Sequence, residues 1–129
     1  MKPQTNQINR TYPAAPLAGV GVVIIREKEF VLVRRGQPPA LGEWSLPGGL
    51  VELGECAADA ASREILEECG LYIRDLTLLD YFEFIEQDQN GIKYHFLVLE
   101  FRAFCSGGKL AAGDDSMDAR WIRLEELVS

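Results

Sequence analysis

The stretch Gly49–Leu71, GLVELGECAADAASREILEECGL, constrains the fold more than any other because it fixes the place of one helix. Its second half contains no Pro and is rich in Ala, Leu and Glu, which favour helices. Gly70 is suited to the left-handed conformation that ends many helices. At about 100° per residue, one apolar face is shared by Ala58, Ala61, Ile65 and Cys69. We therefore predict a helix with one apolar face that stops at Gly70.

Three carboxylates, those of Glu64, Glu67 and Glu68, fall together on a flank of roughly 100° beside that apolar face. Glu64 and Glu68 form an i,i+4 pair of like charge, which costs a helix a few tenths of a kcal/mol. Arg63 can pair with Asp59 or Glu67 but cannot neutralise all three glutamates. Hard oxygen ligands from one helix suit Mg²⁺ or Mn²⁺ better than Zn²⁺. A solvated acidic face is the alternative interpretation.

The residues before the helix, Trp44–Gly49, read WSLPGG and favour the metal-site interpretation. A short apolar run ends there in a Pro-Gly-Gly turn, whose glycines permit conformations closed to other residues. Such a turn can aim a bare backbone carbonyl or amide at a ligand. A glycine turn, a loop and a helix with clustered carboxylates together predict a compact metal–phosphate site.

These residues resemble the Nudix box, G-x5-E-x7-R-E-U-x-E-E-x-G-U, in which U is a bulky aliphatic residue. Every defined position is matched, by Gly49, Glu55, Arg63, Glu64, Ile65, Glu67, Glu68, Gly70 and Leu71. The resemblance implies an α/β/α sandwich with a mixed β-sheet, and a hydrolase that cleaves a pyrophosphate joining a nucleoside to a further group. It also implies that Mg²⁺ or Mn²⁺ is bound by Glu64, Glu67, Glu68 and the carbonyl of Gly48. Arg63 is then expected to orient the carboxylates by pairing with Glu55.

Strand patterns on both sides of the box predict an α+β fold. Ala18–Arg26 and Phe30–Arg34 are rich in Val and Ile and form a predicted hairpin. Leu76–Glu86 and Ile92–Cys105 form a second predicted hairpin, because Asn90-Gly91 between them favours a tight turn. The length and apolarity of Ile92–Cys105 predict a central strand.

The composition bounds the class of protein. A chain of 129 residues suits one domain, predicted at residues 17–129, after a polar tail at residues 1–16 that could lie along the neighbouring subunit of a homodimer. A net charge of −7 argues against binding nucleic acid polymers or anionic membranes. Three cysteines without a CxxC pattern favour a reducing cytoplasm. No stretch has the length of a signal peptide or a membrane span.

Residues outside the box are expected to bind the substrate. Arg34 and Arg35 end a strand near the box and are candidates for holding a phosphate, although one could be a solvated arginine. A loop carboxylate is expected to accept a proton from water, with Glu86 and Asp88 as candidates and the pair Asp114-Asp115 favoured. Several aromatic residues could stack on a nucleobase, although aromatic residues at strand spacing more typically lie in the core. They are Trp44, Phe82, Phe84, Tyr94 and Trp121.

The expected substrate is a nucleoside diphosphate linked to a sugar or similar group. The segment LVRRGQPPALGEWSLPGGLVELGE is similar to Nudix members assigned loosely to ADP-ribose pyrophosphatase. The loop at residues 36–43 is long enough to contact a second moiety beyond the base. A nucleoside triphosphate pyrophosphohydrolase that clears oxidised nucleotides is the main alternative. A sensor that binds a nucleotide derivative without cleaving it, and a structural acidic-helix protein, are the others.

Overall fold

The computed structural model of the chain describes residues 9–128, with side chains as far as residue 126. Its strands are β1 (Leu17–Arg26), β2 (Glu29–Arg35), β3 (Trp44–Ser45), β4 (Gly48–Leu50), β5 (Leu71–Asp88), β6 (Gly91–Gly108) and β7 (Ser116–Arg123). Helix α1 spans Ala57–Cys69, and a 3-10 helix follows β7 at Leu124–Val128. Residues 1–8 of the predicted tail lie outside the described part.

The seven strands form one mixed sheet with the order β3-β2-β1-β6-β5, in which β4 pairs with β1 and β7 pairs with β2. β1 and β6 run parallel, from Leu17 opposite Phe96 to Ile25 opposite Phe104, and the other pairings are antiparallel. The predicted α+β class with a mixed sheet is confirmed. So is the inner position of β6, which lies between β1 and β5.

Helix α1 packs on the sheet by the face that carries Ala61, Ile65 and Cys69, all fully buried. They join Val20, Val22 and Ile24 of β1 in the core cluster. Ala58, predicted on this face, is exposed, and Ala60 is buried instead. The helix ends at Gly70 in the left-handed conformation, with φ of 71°, as predicted. Among the described residues, no helix is long and apolar enough to cross a membrane.

β5 and β6 form a long hairpin, the β5–β6 ribbon, with 18 residues in each strand. Both strands extend beyond the predicted ranges because residues 71–74 of β5 also pair with residues 104–108 of β6. The register places Phe82 opposite Val98 and Phe84 opposite Phe96. Since side chains alternate between faces, these four residues share one face of the ribbon. That face is the one that forms part of the candidate site.

Candidate active site

A cavity of about 380 Å³ lies between α1, β4 and the β5–β6 ribbon. One wall carries the carboxylates of Glu64 and Glu68 from α1. Two glycines of β1, Gly19 and Gly21, also line it. Apolar side chains of the ribbon form an opposing surface, the aromatic floor, made of Phe82, Phe84, Phe96 and Val98. The lining also includes two arginines, Arg10 and Arg35, and the acidic residue Glu100 of β6.

The Pro-Gly-Gly segment brings Glu64 to the cavity by close approach. Gly48 and Gly49 belong to β4 and pair with Gly21 and Val20 of β1. A Cβ atom at Gly49 would lie 1.9 Å from Oε2 of Glu64, and one at Gly48 would lie 1.9 Å from the carbonyl oxygen of Val20. Both positions therefore exclude a side chain because neighbouring atoms occupy its space. The predicted turn is instead the start of strand β4, and its two glycines allow neighbouring atoms to approach the backbone closely.

Arg63 joins the loop before the helix to the helix itself. Its Nε and Nη2 donate to the two carboxylate oxygens of Glu55 at 2.7 and 3.0 Å, in a bidentate pair. Nη2 also donates to the carbonyl oxygen of Leu50 at 3.0 Å, and Nη1 donates to Oε1 of Glu67 at 3.0 Å. These bonds from Arg63, with a backbone bond at Glu52, lower the pKa of Glu55 to about 2. The loop is thereby fixed to the helix, which is the arrangement expected of an orienting arginine.

The three glutamates predicted to meet at one point accept hydrogen bonds from three different donor residues. Glu64 accepts a hydrogen bond from the backbone N–H of Leu50 at 3.2 Å. Glu67 pairs with Arg63, and Glu68 accepts a bond from Oγ of Ser116 at 2.6 Å. Within residues 9–128, no three His, Cys, Asp or Glu side chains are arranged to hold a metal ion. The shared point stays a prediction: Nη1 of Arg63 lies 3.0 Å from Oε1 of Glu67 and 3.6 Å from Oε2 of Glu64, so both carboxylates contact one nitrogen.

The two carboxylates of α1 that line the cavity, those of Glu64 and Glu68, fit a divalent cation. Burial raises the pKa of Glu64 to about 7, despite the opposing charge of Arg63, and Glu67 and Glu68 raise it further. Burial also raises the pKa of Glu68, against the hydrogen bond from Ser116. Both charges are therefore incompletely compensated. Because Mg²⁺ is commonly held by one or two carboxylates together with waters and substrate phosphates, this donor set suits Mg²⁺ or Mn²⁺.

The remaining predicted residues divide between the cavity and its outside. Arg35 lines the cavity, with its Nε donating to the carbonyl oxygen of Pro39 at 2.6 Å. Arg34, on the alternate face of β2, donates to the carbonyl oxygen of Gly42 at 2.8 Å and is not among the lining residues. Asp115 lines the cavity and accepts a bond from Nε2 of Gln37 at 3.0 Å, whereas Asp114 does not line it.

The residues of the site that sequence reasoning missed include Arg10, Phe96, Glu100 and Ser116. Arg10 precedes the predicted domain, and no motif marks it. Phe96 lies on the predicted central strand, where an aromatic residue is typical of the core. Ser116 follows the Asp114-Asp115 pair, and its contact with α1 joins residues 48 positions apart. The one sequence feature that indicated a function near Ser116 was the acidic pair Asp114-Asp115.

Comparisons with known proteins agree with the geometry. The model of the family described as NUDIX domain matches residues 15–129 of this chain. The ADP-ribose pyrophosphatase of Methanocaldococcus jannaschii is 35% identical over 112 residues, which cover 87% of this chain and 64% of that protein. The 8-oxo-dGDP phosphatase NUDT18 of Danio rerio is 36% identical over 107 residues, covering 79% of this chain and 30% of that protein. The chain thus spans less than two thirds of the length of either relative.

The crystal structure of a MutT NUDIX hydrolase from Burkholderia pseudomallei superposes with a TM-score of 0.77 and 31% sequence identity. The match covers 86% of this chain and 85% of that one. This similarity confirms the predicted Nudix-type sandwich. With the family match over residues 15–129 and the complete box, it shows that the chain belongs to the Nudix hydrolase family.

Proposed function

We propose that this protein hydrolyses the pyrophosphate of a nucleoside diphosphate linked to another moiety, of the ADP-ribose or nucleotide-sugar type, with Mg²⁺ or Mn²⁺. One observation carries the proposal. A single cavity brings the half-buried carboxylates of Glu64 and Glu68 to face an aromatic floor. A lining that combines charged groups with aromatic stacking surfaces suits a ligand with a charged centre and a flat, apolar end.

The lining offers a suitable contact for each part of such a substrate. The aromatic floor, with Phe82 and Phe84 on one strand, offers faces on which a nucleobase can stack. Arg35 can donate to phosphate oxygens. Its Nε is already bonded to Pro39, so its terminal nitrogens remain for the ligand. The volume of about 380 Å³ lies in the usual range for small-molecule sites.

The carboxylate wall supplies the chemistry. A divalent cation, when bound by Glu64 and Glu68, would neutralise charge on the pyrophosphate and its leaving group. Arg63 holds the loop at Leu50 in place so that Glu64 keeps its position. Asp115, oriented by Gln37, can accept a proton from an attacking water, and Glu64 is the other candidate base. We favour Asp115 over Asp114 because only Asp115 reaches the cavity.

Hydrolysis of oxidised nucleotides is the second candidate function. It is supported by the relative whose name is 8-oxo-dGDP phosphatase, at 36% identity. The same cavity would accept an oxidised purine on the aromatic floor. The first candidate is preferred because of how much of each relative is matched. The match covers 64% of the ADP-ribose pyrophosphatase but only 30% of the 8-oxo-dGDP phosphatase.

A substrate panel tests both candidates. The purified chain is assayed in MgCl₂ and in MnCl₂ with ADP-ribose, several nucleotide sugars, 8-oxo-dGDP, 8-oxo-dGTP and the four deoxynucleoside triphosphates, and products are separated by anion-exchange chromatography. We expect the highest kcat/KM for ADP-ribose or a nucleotide sugar. A tenfold preference for an oxidised nucleotide, about 1.4 kcal/mol in transition-state binding, would establish the second candidate instead.

Glu68→Gln tests the metal wall in the same assay, with Glu27→Gln as its control. Glu27 lies at the β1–β2 turn and does not line the cavity. We expect a loss of at least about 100-fold in kcat for Glu68→Gln, because a charged ligand is replaced by a neutral amide. Full activity of that variant, or of the wild type in excess EDTA, would refute the proposal.

The predicted homodimer also stays a proposal. It is supported by three large apolar side chains on the other face of the ribbon, Tyr81, Ile85 and Leu97, which are 60%, 53% and 37% exposed. Single exposed apolar residues are common, but three on one strand pair suit a contact between subunits. Light scattering coupled to gel filtration should give the mass of two chains, and the mass of one chain would rule the homodimer out.

A further inference from the structure

The segment before β1 crosses to the ribbon and is fastened there by Tyr12. The backbone N–H of Tyr12 donates to the carbonyl oxygen of Lys93 at 2.8 Å. Its hydroxyl donates to Oδ2 of Asp88, near the tip of the ribbon. Asp88 and Lys93 flank the turn between β5 and β6, so a single residue is held by both strands. This part of the predicted tail therefore contacts its own chain at a fixed place.

The backbone conformation of Tyr12 is unusual for a residue with a side chain. Its φ of 51° lies in the left-handed region, which a residue with a side chain adopts rarely and at a cost of about 1 kcal/mol or more. The two hydrogen bonds offset that cost. Arg10, two residues before Tyr12, is among the cavity-lining residues.

The guanidinium of Arg10 is an uncommitted donor in the cavity. Arg34 and Arg35 donate to backbone carbonyls, and Arg63 pairs with carboxylates. No hydrogen bond or ion pair joins Arg10 to any other residue in the described range 9–128. Its positive charge acts on Glu68, which places it on the carboxylate side of the cavity. Among the described residues, its planar fork of five N–H groups therefore has no acceptor, and the geometry of this fork matches the oxygens of a phosphoryl group as it does those of a carboxylate.

We propose that Arg10 binds a phosphoryl group of the substrate, and that Tyr12 is a positioning residue that holds Arg10 at the cavity through its bonds to Asp88 and Lys93. The inference rests on the proposed function, because it takes the ligand of this cavity to be a pyrophosphate compound. Arg10 and Arg35 then supply two cations to the phosphates, opposite the aromatic floor. Substrate recognition would depend on residues that lie before the first strand of the sheet.

The test compares Arg10→Ala, Arg10→Lys and Tyr12→Phe with Arg74→Ala as control, all in the full chain. Arg74 pairs with its neighbour Asp75 on β5 and does not line the cavity. Substrate turnover gives KM and kcat, and calorimetry with α,β-methylene-ADP and MgCl₂ measures affinity without turnover. We expect Arg10→Ala to raise KM and the dissociation constant about tenfold with kcat within twofold, and Arg10→Lys to restore part of the affinity.

A double variant separates positioning from general structure. Tyr12→Phe removes the bond to Asp88 and should raise KM about threefold, but it should have no further effect when Arg10 is already Ala. Equal effects of Tyr12→Phe in both backgrounds would show that Tyr12 does not act through Arg10. Unchanged KM and affinity in Arg10→Ala, or a loss confined to kcat, would overturn the phosphate-binding role. If the wild type cleaved no substrate, the proposed function would fail, while calorimetry would still decide the role of Arg10.

Discussion

At the scale of single residues, the site depends on the absence of a side chain at Gly49. Glu64 occupies the space that a Cβ atom there would need, 1.9 Å from Oε2. The same carboxylate is anchored by the N–H of the next residue, Leu50. The box pattern thus pairs a glycine with a glutamate 15 positions later because the two are in contact.

Gly49→Ala should therefore displace Glu64 and lower kcat/KM by about 100-fold or more, because a misplaced ligand costs most of its contribution. The matched control is Gly107→Ala, whose new Cβ would meet only Cδ2 of Tyr72, at 3.9 Å. Steady-state kinetics on both variants, with circular dichroism to verify folding, measures the difference. Similar kinetics in the two variants would contradict the contact argument.

Ser116 is a second residue whose effect can be isolated. Its hydroxyl donates to Glu68 and opposes the rise in the pKa of that carboxyl caused by burial. Ser116→Ala should raise the pKa of Glu68 further, so protons compete better with the cation. We expect the Mg²⁺ concentration for half-maximal rate to increase roughly fivefold, the equivalent of one hydrogen bond of about 1 kcal/mol. Ser116→Thr, which keeps the hydroxyl, should behave as wild type, and an unchanged Mg²⁺ requirement in Ser116→Ala would contradict this prediction.

At the scale of elements, β4, the loop after it and α1 form one unit that Arg63 holds together. The guanidinium reaches the carbonyl of Leu50 at the end of β4, the carboxylate of Glu55 in the loop and that of Glu67 on the helix. A lysine carries the same charge but has one nitrogen, so it cannot make the bidentate pair with Glu55 while contacting the other two. The unit depends on geometry more than on charge.

Arg63→Lys should consequently loosen the loop while leaving the sheet intact. We expect faster amide hydrogen exchange confined to residues 50–55 and a loss in kcat/KM of tenfold or more. Arg123→Lys is the control, because Arg123 pairs with Glu125 at 3.2 Å on the surface, away from the cavity. Hydrogen exchange followed by mass spectrometry locates the change. Uniform acceleration across the sheet would indicate global destabilisation and contradict a local role.

At the scale of the whole molecule, the buried carboxylate makes stability depend on pH. The pKa of Glu64 is about 7 in the folded chain, compared with an ordinary value of 4.5. The folded state therefore prefers the protonated form, and this stabilisation is complete below about pH 4.5 and lost as pH rises through 7. Glu55 titrates near 2 and stays charged throughout that window. The free energy of unfolding should thus fall by roughly 2–3 kcal/mol between pH 5 and pH 8 from Glu64 alone.

Thermal unfolding in EDTA across that pH range measures the effect. Wild type should lose several degrees of Tm more than Glu64→Gln, which has no proton to release, while Glu27→Gln should follow wild type. MgCl₂ should raise Tm more at pH 8 than at pH 5, because the ligand must be deprotonated to bind. Identical pH profiles for wild type and Glu64→Gln would contradict the burial argument.

The sequence by itself determined what local chemistry decides. The box residues, the helix that ends at Gly70 and the hairpin at the Asn90-Gly91 turn follow from spacing and propensity over short distances. The mixed sheet could be predicted because alternating strands on both sides of one helix leave few arrangements. The candidate roles of Glu64, Glu68 and Arg63 came from the same short-range pattern, and they stay proposals.

Only the tertiary structure decided which side chains share the cavity. Arg34 and Arg35 are equivalent in composition, but strand alternation sends only Arg35 to the cavity. Glu68 meets Ser116 across 48 residues, and Arg10 reaches the cavity because Tyr12 is fastened 76 residues away to Asp88. Such contacts depend on sheet order and on the register of β5 against β6. No local pattern encodes them, because each is created when distant segments pack.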